Sequence, residues 1–222
     1  MAINDEDIKV AVIDQLYWDS RVEASKINVT VEGGEVVLSG SVPSLRARQA
    51  AYDDARNVSG VIAVENRMVV EHPETPPVPP DERIQSNVQD VLNWNVTLDA
   101  RTISVSVKDG VVTLEGTVDS YWEKVSADET VSHVRGVVDV VNKLSVVPAK
   151  KLTDEKIAQD IKAALERNVA VNADSLGIAV ANGVVTLSGT VRNWGEHTAA
   201  FFTALYTKGV VNVDDRLSVK GI

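Results

Sequence analysis

A chain of 222 residues, 44% hydrophobic and 24% charged, suits a globular protein of one or two domains. Its net charge of −10 argues against nucleic-acid binding, which needs clustered Lys and Arg, and the lack of Cys excludes disulfides, thiolate catalysis and Cys-ligated zinc. No apolar run reaches the roughly 18 residues of a transmembrane segment. The acidic start, MAINDEDIKV, has neither the basic nor the apolar region of a signal peptide, so the chain as written reads as cytoplasmic, or as periplasmic if it is a mature form.

The first predicted element is a helix carrying Ile8, Val12 and Leu16 on one face, with Asp5 and Glu6 suited to its positive N-terminus. Ile27, Val29 and Val31 then alternate as in a half-buried strand. Gly33-Gly34 fits a type I′ hairpin turn, whose two central residues both need positive φ. A second strand buries Val36 and Leu38. Ser44 is the N-cap candidate of a second helix with Ala51, Ala55 and Val58 facing inward. Gly60 fits the left-handed C′ position that ends such a helix, and GVIAVENRMVV forms a last strand.

The same text is then written twice more. EHPETPPVPP, Glu71 to Pro80, has four prolines in its last five residues and favours stiff polyproline II. After it, Ile84, Val88 and Leu92 repeat the helix, Ile103, Val105 and Val107 the strand, and DGVVTLEGTV from Asp109 the hairpin. After PAKKLT come Ile157, Ile161 and Leu165, then Leu176, Ile178 and Val180, then NGVVTLSGTV from Asn182. Gly34, Gly110 and Gly183 share one spacing from Asp5, Asp81 and Asp154; so do Gly40, Gly116 and Gly189, and Gly60, Gly136 and Gly209. The chain therefore divides into domains at 1–70, 81–147 and 154–222, joined by linkers 71–80 and 148–153. Units of this size are small for independent stability, which favours docking between them. The expected fold class is α+β: three tandem αββαβ domains, each a mixed three-stranded sheet with both helices on one face. The strand–helix–strand crossover makes the third strand parallel to the second, while strand order is left open.

Chemistry is sparse. His72, His133 and His197 lie at non-equivalent positions, and no metal-binding HExxH, phosphate loop or G-x-S-x-G elbow occurs. The reading is a non-enzyme with no catalytic residues, no metal site and no cofactor. The recurring glycines answer to turns and close backbone approach rather than to a ligand. Asn66, Asn142 and Asp215 read as strand-edge or turn polar groups.

Each unit resembles the BON (bacterial OsmY and nodulation) domain family. The resemblance rests on the Ile-x3-Val/Ile-x3-Leu helix, on GVVTLEGTV and its equivalents, and on the closing strand with its Asn or Asp and a following Leu or Met. It implies the αββαβ fold, a bacterial origin, no catalysis, and association with phospholipid surfaces or envelope components under osmotic or envelope stress. The expected partners are accordingly phospholipid or a membrane-associated protein.

Candidate contacts lie where the copies differ. After the second-helix N-caps Ser44, Ser120 and Asn193 stand Leu45-Arg46, Tyr121-Trp122 and Trp194-Gly195. Large apolar groups there either staple the helix to a core or anchor a partner or membrane interface. Trp194, Thr198, Phe202 and Tyr206 form a stripe on one helix face. It predicts docking on another unit, self-association through domain 3, or a lipid contact. A protein-binding or chaperone-like scaffold using this stripe is the alternative function. For an anion or lipid headgroup the candidates are Ser44, Arg46 and Arg48, because Glu123 and Glu196 occupy the equivalent helix turn in the other units and should repel it.

Overall fold

The computed structural model describes residues 4–73 and 75–220. Each unit has the order αββαβ: α1 (Asp5–Trp18), β1 (Ile27–Glu32), β2 (Glu35–Val42), α2 (Leu45–Arg56) and β3 (Ala63–Val70) in the first. The second holds α3 (Asp81–Trp94), β4 (Ile103–Lys108), β5 (Val111–Val118), α4 (Tyr121–Ser132) and β6 (Asp139–Val146). The third holds α5 (Asp154–Arg167), β7 (Leu176–Ala181), β8 (Val184–Val191), α6 (Trp194–Leu205) and β9 (Asn212–Val219). The middle strand of each sheet is the second in sequence. It pairs antiparallel with the first and parallel with the third, as the crossover requires.

One apolar core per unit lies between the sheet and its two helices. In the first, Ile8, Val12 and Leu16 of α1 meet Val29, Val36, Leu38 and Met68 of the sheet and Ala47, Ala51 and Ala55 of α2. Both helices therefore cover the same face. The small alanines let α2 lie close to the sheet, and the same position is alanine in Ala127 and Ala200.

The hairpins take the conformation their dipeptides demand: φ is 59° at Gly33, 51° at Asp109 and 53° at Asn182. An aspartate locks each one. Asp5 at the start of α1 accepts from the backbone N–H groups of Gly33 and Gly34 at 2.8 and 2.9 Å. Asp81 and Asp154 do the same for the other two turns. The helix-start carboxylate thus ties helix to hairpin as well as complementing the helix dipole. The strand glycines mark close approach: a Cβ on Gly40 would collide with the Lys26 carbonyl, just before the neighbouring strand β1.

The third glycine differs from its expected role. α2 ends at Arg56, and its cap residue Asn57 stays right-handed. Gly60, at φ 92°, belongs to a separate turn in which Val61 N–H donates to the Val58 carbonyl at 3.3 Å. It turns the chain into β3 rather than terminating the helix.

The proline-rich linker packs back on the second unit. Arg135 donates to the carbonyls of Pro76 and Pro77, and the Pro79 ring lies beside Gly136.

Candidate functional site at the junctions between units

The three units dock head to tail. Leu45, the first residue of α2, is buried in the core of the second unit. Tyr121, the first residue of α4, packs against the core of the third. Trp194, the first residue of α6, packs against the core of the first. These side chains occupy the same position of the repeat. A heterologous contact used three times and returning to its start makes a closed ring with approximate threefold symmetry.

The junctions differ in chemistry. Between units one and two, Leu45 and Val70 supply apolar contact, and Arg48 pairs with Asp139 at 3.0 Å. Ser44 caps α2 by accepting from Ala47 N–H, while Arg46 is exposed. The three candidate headgroup contacts are thus divided: Ser44 holds its helix, Arg48 spans a junction, and Arg46 faces solvent.

Between units two and three, the Trp122 and Tyr206 rings lie 6.5 Å apart, and Phe202 stacks on Tyr206 at 5.6 Å. The stripe on α6 is therefore split between two junctions. Trp194 meets unit one, Tyr206 meets unit two, and Phe202 and Tyr206 remain partly open at 40% and 59% exposure.

Between units three and one, Trp194 covers the Arg56 guanidinium at 4.0 Å, a cation–π contact. His197 is buried at 7% exposure; its Nε2 lies 3.0 Å from an Asp215 carboxylate oxygen, and its Nδ1 lies 3.5 Å from Arg56. Burial raises the Asp215 pKa, but hydrogen bonds from His197 and the Leu217 N–H outweigh it and leave the carboxyl below its ordinary range. In the other units the equivalent Asn142 and Asn66 donate to the carbonyls of Lys124 and Arg48, at 2.7 and 3.4 Å.

Glu196 does not present a repelling charge at the start of α6. It is buried at 2% exposure and turned back, accepting from the N–H groups of Arg192 and Asn172 and from the Arg192 side chain. Glu123 likewise accepts from the Asp119 N–H, just before the N-cap. Burial raises the Glu196 pKa, but the Arg192 side chain, followed by the two backbone donors, outweighs it and leaves the carboxyl below its ordinary range.

A cleft of about 340 Å³ opens at this third junction, lined by Arg56, Val58, Arg192, Trp194, Gly195 and Lys220 among others. The sequence pattern gave no role to Arg56, and it placed His197 and Asp215 at no junction. A signal was present for two of them: His197 is the odd member against Arg48 and Lys124, and Asp215 against Asn66 and Asn142, whereas Arg56, Ser132 and Leu205 all differ.

Ring closure, clamped hairpins and variable junctions define a tandem-repeat α+β scaffold whose differences lie at its contacts. The BON domain family matches residues 4–72, 80–148 and 153–221, and the chain belongs to that family. It is 29% identical over 140 residues to the Osmotically-inducible protein Y of Escherichia coli (strain K12), covering 62% of this chain and 68% of that protein. It is 27% identical over 147 residues to a 21 kDa hemolysin of Actinobacillus pleuropneumoniae, covering 65% and 75%. A solved structure of the C-terminal domain of CdsD, a type III secretion system structural protein of Chlamydia trachomatis, aligns over 98% of this chain and 100% of its own. Its TM-score is 0.27, with 13% identity.

Proposed function

We propose that this chain is a non-catalytic binding scaffold that associates with phospholipid membranes or other components of the bacterial envelope, in the periplasm, under osmotic stress. The family and its osmotically inducible relative support the setting. The observation that carries a membrane contact is a recurrent set of exposed apolar side chains where each unit's first helix ends. Trp18 and Trp94, at equivalent positions, are 81% and 75% exposed. Tyr17, Val96 and Val169 stand nearby in their units, equally open. Among the described residues no helix is long and apolar enough to cross a membrane. Exposed indoles at helix ends match the interfacial preference of Trp for the headgroup layer. Co-sedimentation with phosphatidylglycerol vesicles tests this: a Trp18→Ala/Trp94→Ala double variant should bind at least about fivefold more weakly from lost apolar burial, and unchanged binding would count against it.

One observation favours protein binding as a second reading. The partly open Phe202–Tyr206 stack forms an aromatic patch that could engage exposed apolar polypeptide. Salt-insensitive suppression of client aggregation, lost in Phe202→Glu, would establish that reading over the first.

A further inference from the structure

The cleft between the third and first units is a gap left by one residue. Gly195 stands where the other units have Arg46 and Trp122. At the second junction Trp122 fills the space in front of Tyr206. At the third, the matching residues are Gly195 and Asn57, and both line the opening. The space is therefore bounded by two units, and at the second junction its counterpart is occupied by Trp122.

Its lining is basic. Arg56, Arg192 and Lys220 contribute three cationic groups, and among the described residues no carboxylate lines the cleft, in a chain whose net charge is −10. Arg192 is neutralised by Glu196 at 2.9 Å. Arg56 and Lys220 make no ion pair among the described residues, and Asp215, the carboxylate whose charge Arg56 feels, is held by His197. The Arg56 Nε and Trp194 Nε1 atoms are buried with no hydrogen-bond partner. A partly buried guanidinium without a counter-ion is costly. The Trp194 ring and Val58, Val61 and Val219 supply apolar wall beside the charges.

We propose that this cleft binds a phosphate group carried on a small organic body, with Arg56 and Lys220 supplying the counter-charge and Trp194 the apolar wall. Arginine and lysine both pair with phosphate through charge-assisted hydrogen bonds. A volume of about 340 Å³ accommodates a small organic phosphate. The site goes beyond the membrane contact argued above, because its residues are separate from the exposed helix tips. The same chemistry is presented by a soluble phosphate ester and by a phospholipid headgroup.

The test is titration calorimetry of the full chain with phenyl phosphate, inorganic phosphate and phosphatidylglycerol vesicles, at two salt concentrations. Phenyl phosphate should bind about tenfold or more tightly than inorganic phosphate, and bind more weakly at high salt. Gly195→Trp should abolish phenyl phosphate binding by rebuilding the filled arrangement of the second junction. An added Cβ there meets nothing closer than the Asn193 side-chain oxygen at 3.2 Å. Lys220→Gln, on an exposed side chain outside the core, should weaken binding about threefold to tenfold. If vesicle binding falls with phenyl phosphate binding in Gly195→Trp, the phosphate is a headgroup; if vesicle binding persists, it is soluble. Absence of phenyl phosphate binding, or binding unaltered in both variants, would overturn the site. Vesicle binding by the unaltered chain tests the membrane reading separately.

Discussion

Leu45 and Trp194 hold the same position in their repeats and solve the same docking problem in opposite ways. Leu45 sinks into the second unit's core at 8% exposure, and the chain itself links the units it joins. Trp194 lies on a cation, beside a cleft and a buried histidine, at a junction with no covalent link between its two units. Ring closure thus does not require one interface chemistry. Two junctions held by the chain's own connectivity are lined mainly by apolar and aromatic groups, and the unlinked one is polar and incompletely filled. That makes the third junction the seam of the ring and the natural place for a ligand to act.

The largest effect should come from the apolar side of this comparison. Leu45→Ala removes a side chain buried in another unit's core and should cost about 2–4 kcal/mol of unfolding free energy in urea. Trp194→Ala should cost less, about 1–3 kcal/mol, because it removes a stacked, half-buried ring at an unlinked contact. Its signature should be geometric. Small-angle scattering should show an expanded chain while far-ultraviolet circular dichroism stays unchanged, since each unit keeps its own core. An equal stability loss in both variants, with no expansion in Trp194→Ala, would break the distinction between closed junction and seam.

What the sequence made legible follows from the range of the interactions involved. The hairpins were readable because Asp109-Gly110 and Asn182-Gly183 carry their backbone preference locally. The core faces were readable because Ile8, Val12 and Leu16 repeat with the helix period. Gly60 was read one feature too early, since a helix C′ residue and the third residue of a turn both reward positive φ. The Asp5 clamp was hidden because the helix dipole already accounted for an acidic first turn. The junctions were the least legible. Leu45, Tyr121 and Trp194 could be recognised as contact residues, but no periodicity encodes which unit they touch. Arg56 meets the third unit's His197 and Asp215 only when the first and third units close.

The first unit also holds a carboxyl pair next to the seam. Asp54, two residues before Arg56, is buried, and Gln15 donates to it at 3.4 Å. Desolvation, then the neighbouring Asp19 carboxylate, pushes its pKa up to about 6; Asp19 itself is held well below the usual range by Arg21. Units two and three have Asn95 with Thr130 and Asn168 with Thr203 at these positions. With the folded pKa above the unfolded one, the stabilisation from protonated Asp54 is fully present below about pH 4 and is lost as pH rises through about 6. Asp54→Asn should therefore stabilise the chain above pH 6 by about 1–2 kcal/mol, since the opposite shift of Asp19 offsets part of the gain. Urea titrations at pH 5 and 8 check this; a variant with the same pH slope as the unaltered chain would show that the pair does not report on the first unit's stability.

The smallest effect sharpens the comparison from the other side. Arg48 and Asp139 also bridge two units, yet their side chains are 28% and 55% exposed. An ion pair open to water gains little net energy, because screening and side-chain ordering offset the attraction. Arg48→Ala should therefore cost no more than about 0.5 kcal/mol and leave the scattering profile unchanged. At the seam, by contrast, Arg56 lies under an indole ring with a buried Nε, and an Arg56→Ala variant should expand the chain as Trp194→Ala does. If Arg48→Ala opened the ring and Arg56→Ala did not, charge at the first junction would matter more than apolar burial, and the assignment of the seam to the third junction would have to be reversed.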